Sequence, residues 1–291
     1  MQMTCNKLSL ALVLKPLTFL CIFLTVFGMS SCERAATENE DENKVSWPEI
    51  THFDDLAFRA DGLVRVKDLS AARALLSELV QSGLALKAST IPHNVSAPQE
   101  VELILGDLTN LVDALHQDDL DDATFENLVL GLHPVIAKLI EAAGMPHVHA
   151  NEGPNSGFLF PVFDSAGKQV GAIEIKLHDD AGDLEVWLTR GGFGGDPWRL
   201  SIDSALTLDF TDLDKKVTLA VRDRERNEDE SGSSTILEGK TDYFVFPGPR
   251  EVDASWLMGA DFAAKVKLSF DEATTGSFVL RPHVHRKDED E

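Results

Sequence analysis

From Asp68 to Ala143 apolar side chains recur every three or four residues, the spacing of a helix with one buried face. Asp68 reads as an N-cap, after which Leu69, Ala72, Leu76 and Leu79 share one side. Ser96-Ala-Pro-Gln99 offers a capping box with proline early in the next helix, whose inner side carries Val101, Leu105, Leu108, Val112 and Leu115. A third stretch, from about Asp122, turns Phe125, Leu128, Val129, Leu132, Ile136, Leu139 and Ile140 inward until Gly144 stops it. Pro134 lacks a backbone donor and disfavours the helical conformation at His133, so it should kink or split that helix. These helices, with a further one if residues 48–60 join, predict an up-down bundle over residues 45–145.

After Gly144 the period shortens to runs of apolar and β-branched residues divided by Gly, Asp, Ser and Pro. Phe158–Phe163, Val170–Leu177, Leu184–Leu188, Ala205–Phe210, Val217–Val221, Tyr243–Phe246, Ala264–Phe270 and Ser277–Leu280 read as strands. Without a fixed repeat period they predict an antiparallel β-sandwich over residues 146–285, with a barrel as the alternative and a charged tail at 286–291. The fold class is therefore α+β: a helical bundle followed by a β-sandwich. Residues 224–234 read as an exposed polar excursion.

The chain has 291 residues and a formal charge of -23, which makes nucleic acid an unsuitable partner because such a surface repels phosphate. Residues 1–31 contain Lys7 and Lys15 but no acid, and an apolar run from Leu17 to Met29 too short to span a bilayer comfortably. This is a signal-peptide pattern, with an uncleaved N-terminal anchor as the alternative. Met29-Ser30-Ser31-Cys32 resembles the lipobox of bacterial lipoproteins, which implies cleavage before Cys32 and lipidation of that cysteine. The resemblance covers only this leader, and Met29 stands where Leu is commoner. It implies an envelope protein anchored to a membrane through Cys32 and, with Glu33 in place of the Asp that retains some lipoproteins at the inner membrane, an outer-membrane site facing periplasm or surface. Residues 32–44 then form an acidic, self-repelling tether. Any envelope partner is unspecified. The only cysteine left after cleavage would carry lipid, so no disulfide supports the fold.

One pattern suggests chemistry. Pro-His-Val-His occurs at 146–149 and again at 282–285, opening and closing the β region. On extended chain, residues i and i+2 face the same way about 6 to 7 Å apart, so each copy is a bidentate half-site. Were the first and last strands neighbours, His147, His149, His283 and His285 would make a four-nitrogen site for a divalent transition metal, Cu or Zn. The expected role is capture, buffering or delivery rather than catalysis, since no His-Glu-x-x-His, Gly-x-Ser-x-Gly or mature thiol nucleophile is present. The alternative is a cell-surface sandwich module that binds a protein or glycan without metal, with Trp187, Trp198, Trp256 and Phe193 as contact residues.

Other groups give weaker readings. His133 reads as a helix-kink histidine, with a ligand facing the interface as the second possibility, and His178 as a solvated turn residue. Asp179, Asp180, Asp183 and Glu185 suit a hairpin turn better than a calcium clasp, and Gly191–Gly195 a flexible connection better than a phosphate loop.

Overall fold

The computed structural model describes residues 44–147, 149, 151–248 and 252–283, which belong to one compact unit. The leader, Cys32, most of the tether, His285 and the charged tail lie outside the described residues.

Five helices come first: α1 (Pro48–Arg65), α2 (Leu69–Ala74), α3 (Leu76–Ala88), α4 (Pro98–Leu115) and α5 (Asp122–Ala143). Asp68 caps α2 by accepting from the Ala71 amide at 3.1 Å, and Asp121 caps α5 through the Thr124 amide at 2.8 Å. Gly144 closes α5 in the left-handed conformation at φ 73°, which a side chain would oppose. The capping box at Ser96 does not form. Ala97 is the N-cap of α4, and the Ser96 hydroxyl instead donates to the Ala142 carbonyl at 2.7 Å, joining the start of α4 to the end of α5. Nor does Pro134 split α5, which runs unbroken through it.

Trp47, Ile50, Phe53, Leu79, Leu108, Phe125, Val129 and Ile136 share the helical core. Gly83 sets the approach of α3 to its neighbours: a Cβ there would lie 2.6 Å from Val112 Cγ2 and 3.0 Å from the Phe53 ring. Alanine would gain about 1 kcal/mol of helix propensity, but overpacking against a branched, buried valine costs about 1–3 kcal/mol. We therefore expect Gly83→Ala to lower the midpoint of denaturant unfolding, opposite to the usual effect of Gly-to-Ala in a helix.

The remaining chain forms an antiparallel sheet of β1 (Phe158–Phe163), β2 (Gln169–Leu177), β3 (Leu184–Arg190), β5 (Leu206–Phe210), β6 (Lys215–Leu219), β8 (Tyr243–Phe246), β9 (Ala264–Phe270), β10 (Ala273–Thr275) and β11 (Phe278–Leu280), beside a small ribbon of β4 (Leu200–Ser201) and β7 (Lys240–Thr241). The order is β6-β5-β9-β10-β1-β2-β3-β8, with β11 paired to β9. Just beyond the end of β6, Ala220 bridges Val245 of β8, with amide-to-carbonyl distances of 3.0 and 2.8 Å. The outer strands thus meet and the sheet is nearly barrel-shaped. The segment at 224–234 is less free than its polarity suggests. Asn227 within it is fully buried, accepts from the Arg222 amide at 2.7 Å and donates to the Tyr243 carbonyl at 2.9 Å.

Helix α1 meets both the other helices and the sheet, and it carries two buried acids. Asp61 is 1% exposed and takes Arg281 at 2.9 Å and Arg65 at 2.7 Å. Asp54, seven positions earlier on the same stripe, is equally buried. Buried carboxylates need partners, and those of Asp54 define the candidate site.

Candidate metal centre

Asp54 faces three histidines. Its Oδ2 lies 3.0 Å from His147 Nε2 and 3.3 Å from His149 Nδ1, and its Oδ1 lies 3.7 Å from His133 Nε2. One donor atom from each of these four residues falls within 4.8 Å of every other. A tetrahedral ion with bonds of about 2.0–2.1 Å needs donors about 3.3–3.4 Å apart, so the separations from Asp54 bracket that value.

Three elements build the group. Helix α1 supplies Asp54, the turn before Pro134 in α5 supplies His133, and the extended chain just past Gly144 supplies His147 and His149, whose rings lie 5.0 Å apart. The Phe58 ring, one turn after Asp54, stacks on His149 at 4.0 Å and holds it in place.

The electrostatics show a site short of conventional partners. Asp54 Oδ1, His133 Nε2 and His149 Nδ1 are all buried without a hydrogen-bond partner. His149 Nδ1 is instead held by charge attraction, 3.3 Å from Asp54 and 3.8 Å from Asp55. A buried atom left unsatisfied costs about 1–3 kcal/mol, and one ion would satisfy Asp54 Oδ1 and His133 Nε2 together. Burial alone would raise the Asp54 pKa, but the adjacent His147 and His149 outweigh it and hold the carboxyl well below its usual range. Burial lowers His133 to about 4. His149 is also buried, yet the carboxylates of Asp54 and Asp55 push it up to about 9.

A second group gathers at the far end of β2, where His178 Nε2 lies 3.4 Å from Glu185 and 3.2 Å from Glu230. His178 is 16% exposed and not a solvated turn residue. Its pKa is raised, chiefly by the contact with Glu185. Here the carboxylates are already served: Lys176 Nζ lies 2.8 and 2.9 Å from the two Glu230 oxygens, and Glu185 receives Tyr243 and Arg222. With two cations and a phenol in place, this is an ion-pair network that needs no further ion.

The structure brings together two of the four histidines singled out from the sequence and adds two residues. His147 and His149 sit in the centre. His283 does not join them; its amide donates to the Leu177 carbonyl at 2.8 Å and it bridges His178 in parallel register. The segment diverges because Arg281, two residues earlier, is fixed to Asp61, after which the chain follows the end of β2. His285 lies outside the described residues. Of the proposed contact aromatics, Trp187 packs on Tyr243, Trp198 on Phe270 and Trp256 on Phe210, while Phe193 is exposed.

Asp54 carried no motif. Its signal lay in the stripe Ile50, Phe53, Ala57, Ala60 and Val64 of α1, which Asp54 and Asp61 interrupt where apolar residues belong.

Fold and site together describe a helix-flanked antiparallel sheet with a cluster of three half-buried imidazoles around one buried carboxylate. Comparison with family models, with curated proteins and with solved structures finds no match for the chain.

Proposed function

We propose that the protein binds one divalent transition metal ion, Zn(II) or Cu(II), through Asp54, His133, His147 and His149. The observation that carries this reading is the convergence of four donors, Asp54 buried and the three histidines half-buried, with Asp54 Oδ1 and His133 Nε2 lacking any hydrogen bond. Nitrogen-rich donors with one carboxylate suit both ions, and Cu(II) would bind more tightly at equal supply. Four protein donors fill a tetrahedral shell and leave no position for substrate, so the centre suits holding an ion for capture, buffering or delivery rather than catalysis. In keeping with the lipobox-like leader, we place the protein in a bacterial envelope, anchored through Cys32. The nearly closed sheet serves in this reading as a flattened, sandwich-like support, because inward residues of its opposite strands, such as Ile173 and Leu208, share a single core.

Calorimetric titration of the purified protein with Zn(II) should give about one tight equivalent per chain. Replacing His283 should leave that equivalent in place, whereas the four-histidine arrangement requires its loss. Binding unchanged by replacement of His133, His147 and His149 together would refute the assignment.

The pH dependence has a defined sign. In the metal-free protein His149 keeps its proton up to about pH 9, while His133 is already neutral at pH 7 and Asp54 already ionised. An ion must displace the His149 proton, so apparent affinity should rise about tenfold per pH unit from pH 7 toward 9 and then level off. Competition titrations with a chelator at pH 7, 8 and 9 would reveal this slope; a flat profile contradicts it.

A further inference from the structure

Beside the metal centre, α1 and the strands β1, β9 and β11 enclose a cavity of ≈ 470 Å³, within the range of small-molecule sites. Its walls are aromatic: Phe58 and Phe158 lie 5.2 Å apart, and Phe160 stacks on Phe278 at 3.8 Å. Gly62 keeps the helix side open, where a Cβ would rest 3.4 Å from both Arg281 and Val279.

The charge at this cavity runs against that of the chain. Three cations line it, Arg59, Lys265 and Arg281, against a single carboxylate, Asp68, in a protein of formal charge -23. Two of these cations are occupied. Lys265 Nζ lies 2.5 Å from Asp68, and Arg281 is held by Asp61 while its guanidinium covers the Phe58 ring at 4.2 Å. Arg59 is exposed at the rim and makes no hydrogen bond or ion pair among the described residues.

We infer that this cavity binds an organic monoanion, an aromatic or aliphatic body with one carboxylate or sulfonate head. The rings take the body, and Arg59 takes the head in a bidentate pair. A polyphosphate would need several unpaired cations, and a cation would be repelled. The cavity contains none of the four metal donors and shares with their surroundings the Phe58 ring.

Fluorescence titration with 8-anilinonaphthalene-1-sulfonate tests this, run on the purified protein in excess chelator so that the outcome is independent of metal binding. The uncharged analogue N-phenyl-1-naphthylamine, with a similar ring system and no sulfonate, serves as the control. The sulfonate should saturate at one site per chain, and Arg59→Glu should weaken it about tenfold while Arg59→Lys restores part of the loss. The uncharged dye should be indifferent to both changes. Because Arg59 is exposed, both variants should keep the parent's unfolding temperature, which is checked in parallel. Absence of saturable sulfonate binding, equal binding by Arg59→Glu, or equal sensitivity of the uncharged dye would overturn the inference.

Discussion

Replacing Asp54 with alanine is expected to weaken Zn(II) binding by about 100- to 1,000-fold. Structural four-ligand zinc sites carry apparent free energies of about 10–16 kcal/mol, so each ligand accounts for about 2.5–4 kcal/mol. Asp54 is also the only carboxylate of the set and lies nearest to all three imidazoles. Without it the ion would face neutral donors alone, in a buried setting where its charge is poorly screened. Asp54→Asn separates charge from shape: the amide keeps an oxygen donor and should retain more affinity than alanine, though less than the parent. His133→Ala should cost a similar factor, because His133 is drawn into the same group from α5. Chelator competition on each purified variant gives these ratios, and a loss smaller than about threefold for Asp54→Ala would rule the carboxylate out as a ligand.

Asp61→Ala should be the most destabilising single change outside the apolar core, by about 3–5 kcal/mol, the typical penalty for breaking a buried ion pair from one side. Its carboxylate is shared by Arg65 on its own helix and by Arg281 beyond β11, which is 10% exposed. Removal leaves the buried Arg281 guanidinium to the Phe58 carbonyl, at 3.2 Å, and the Phe58 ring, and loosens the C-terminal segment on α1. At about 2–4 °C per kcal/mol for a domain of this size, the unfolding temperature should fall by roughly 6–20 °C. Replacing both partners with apolar residues, Asp61→Leu with Arg281→Met, should recover much of that loss, because no charge is then left buried. Thermal unfolding followed by circular dichroism measures both, and a double variant no better than Asp61→Ala would contradict this account of the pair.

The two aspartates also explain how much the sequence could reveal. The helical stretch that becomes α2 and α3, and helices α4 and α5, followed from apolar spacing; the break at Leu75 did not, because Leu69, Ala72, Leu76 and Leu79 keep one helical spacing across it. Helix α1 was harder to recognise, since Asp54 and Asp61 interrupt its stripe with charges whose partners are distant in sequence. Most strands were legible from their β-branched runs. The near closure of the sheet was not, because it depends on Ala220 meeting Val245, a pairing that no local pattern encodes. At the site, the His-x-His spacing singled out His147 and His149, whose rings lie 5.0 Å apart beside Asp54. It could not show that their companions come from α1 and α5 rather than from the second Pro-His-Val-His copy. His133 was hidden by the ordinary explanation of a histidine beside a helical proline.

The central claim is that three imidazoles and one carboxylate share a single ion. X-ray absorption at the zinc edge of the protein loaded with one equivalent tests it most directly. The account predicts a four-coordinate first shell at about 2.0–2.1 Å, with outer-shell scattering from three imidazole rings that falls to two in His133→Ala. A shell of water oxygens, or a spectrum identical in the parent and His133→Ala, would contradict it.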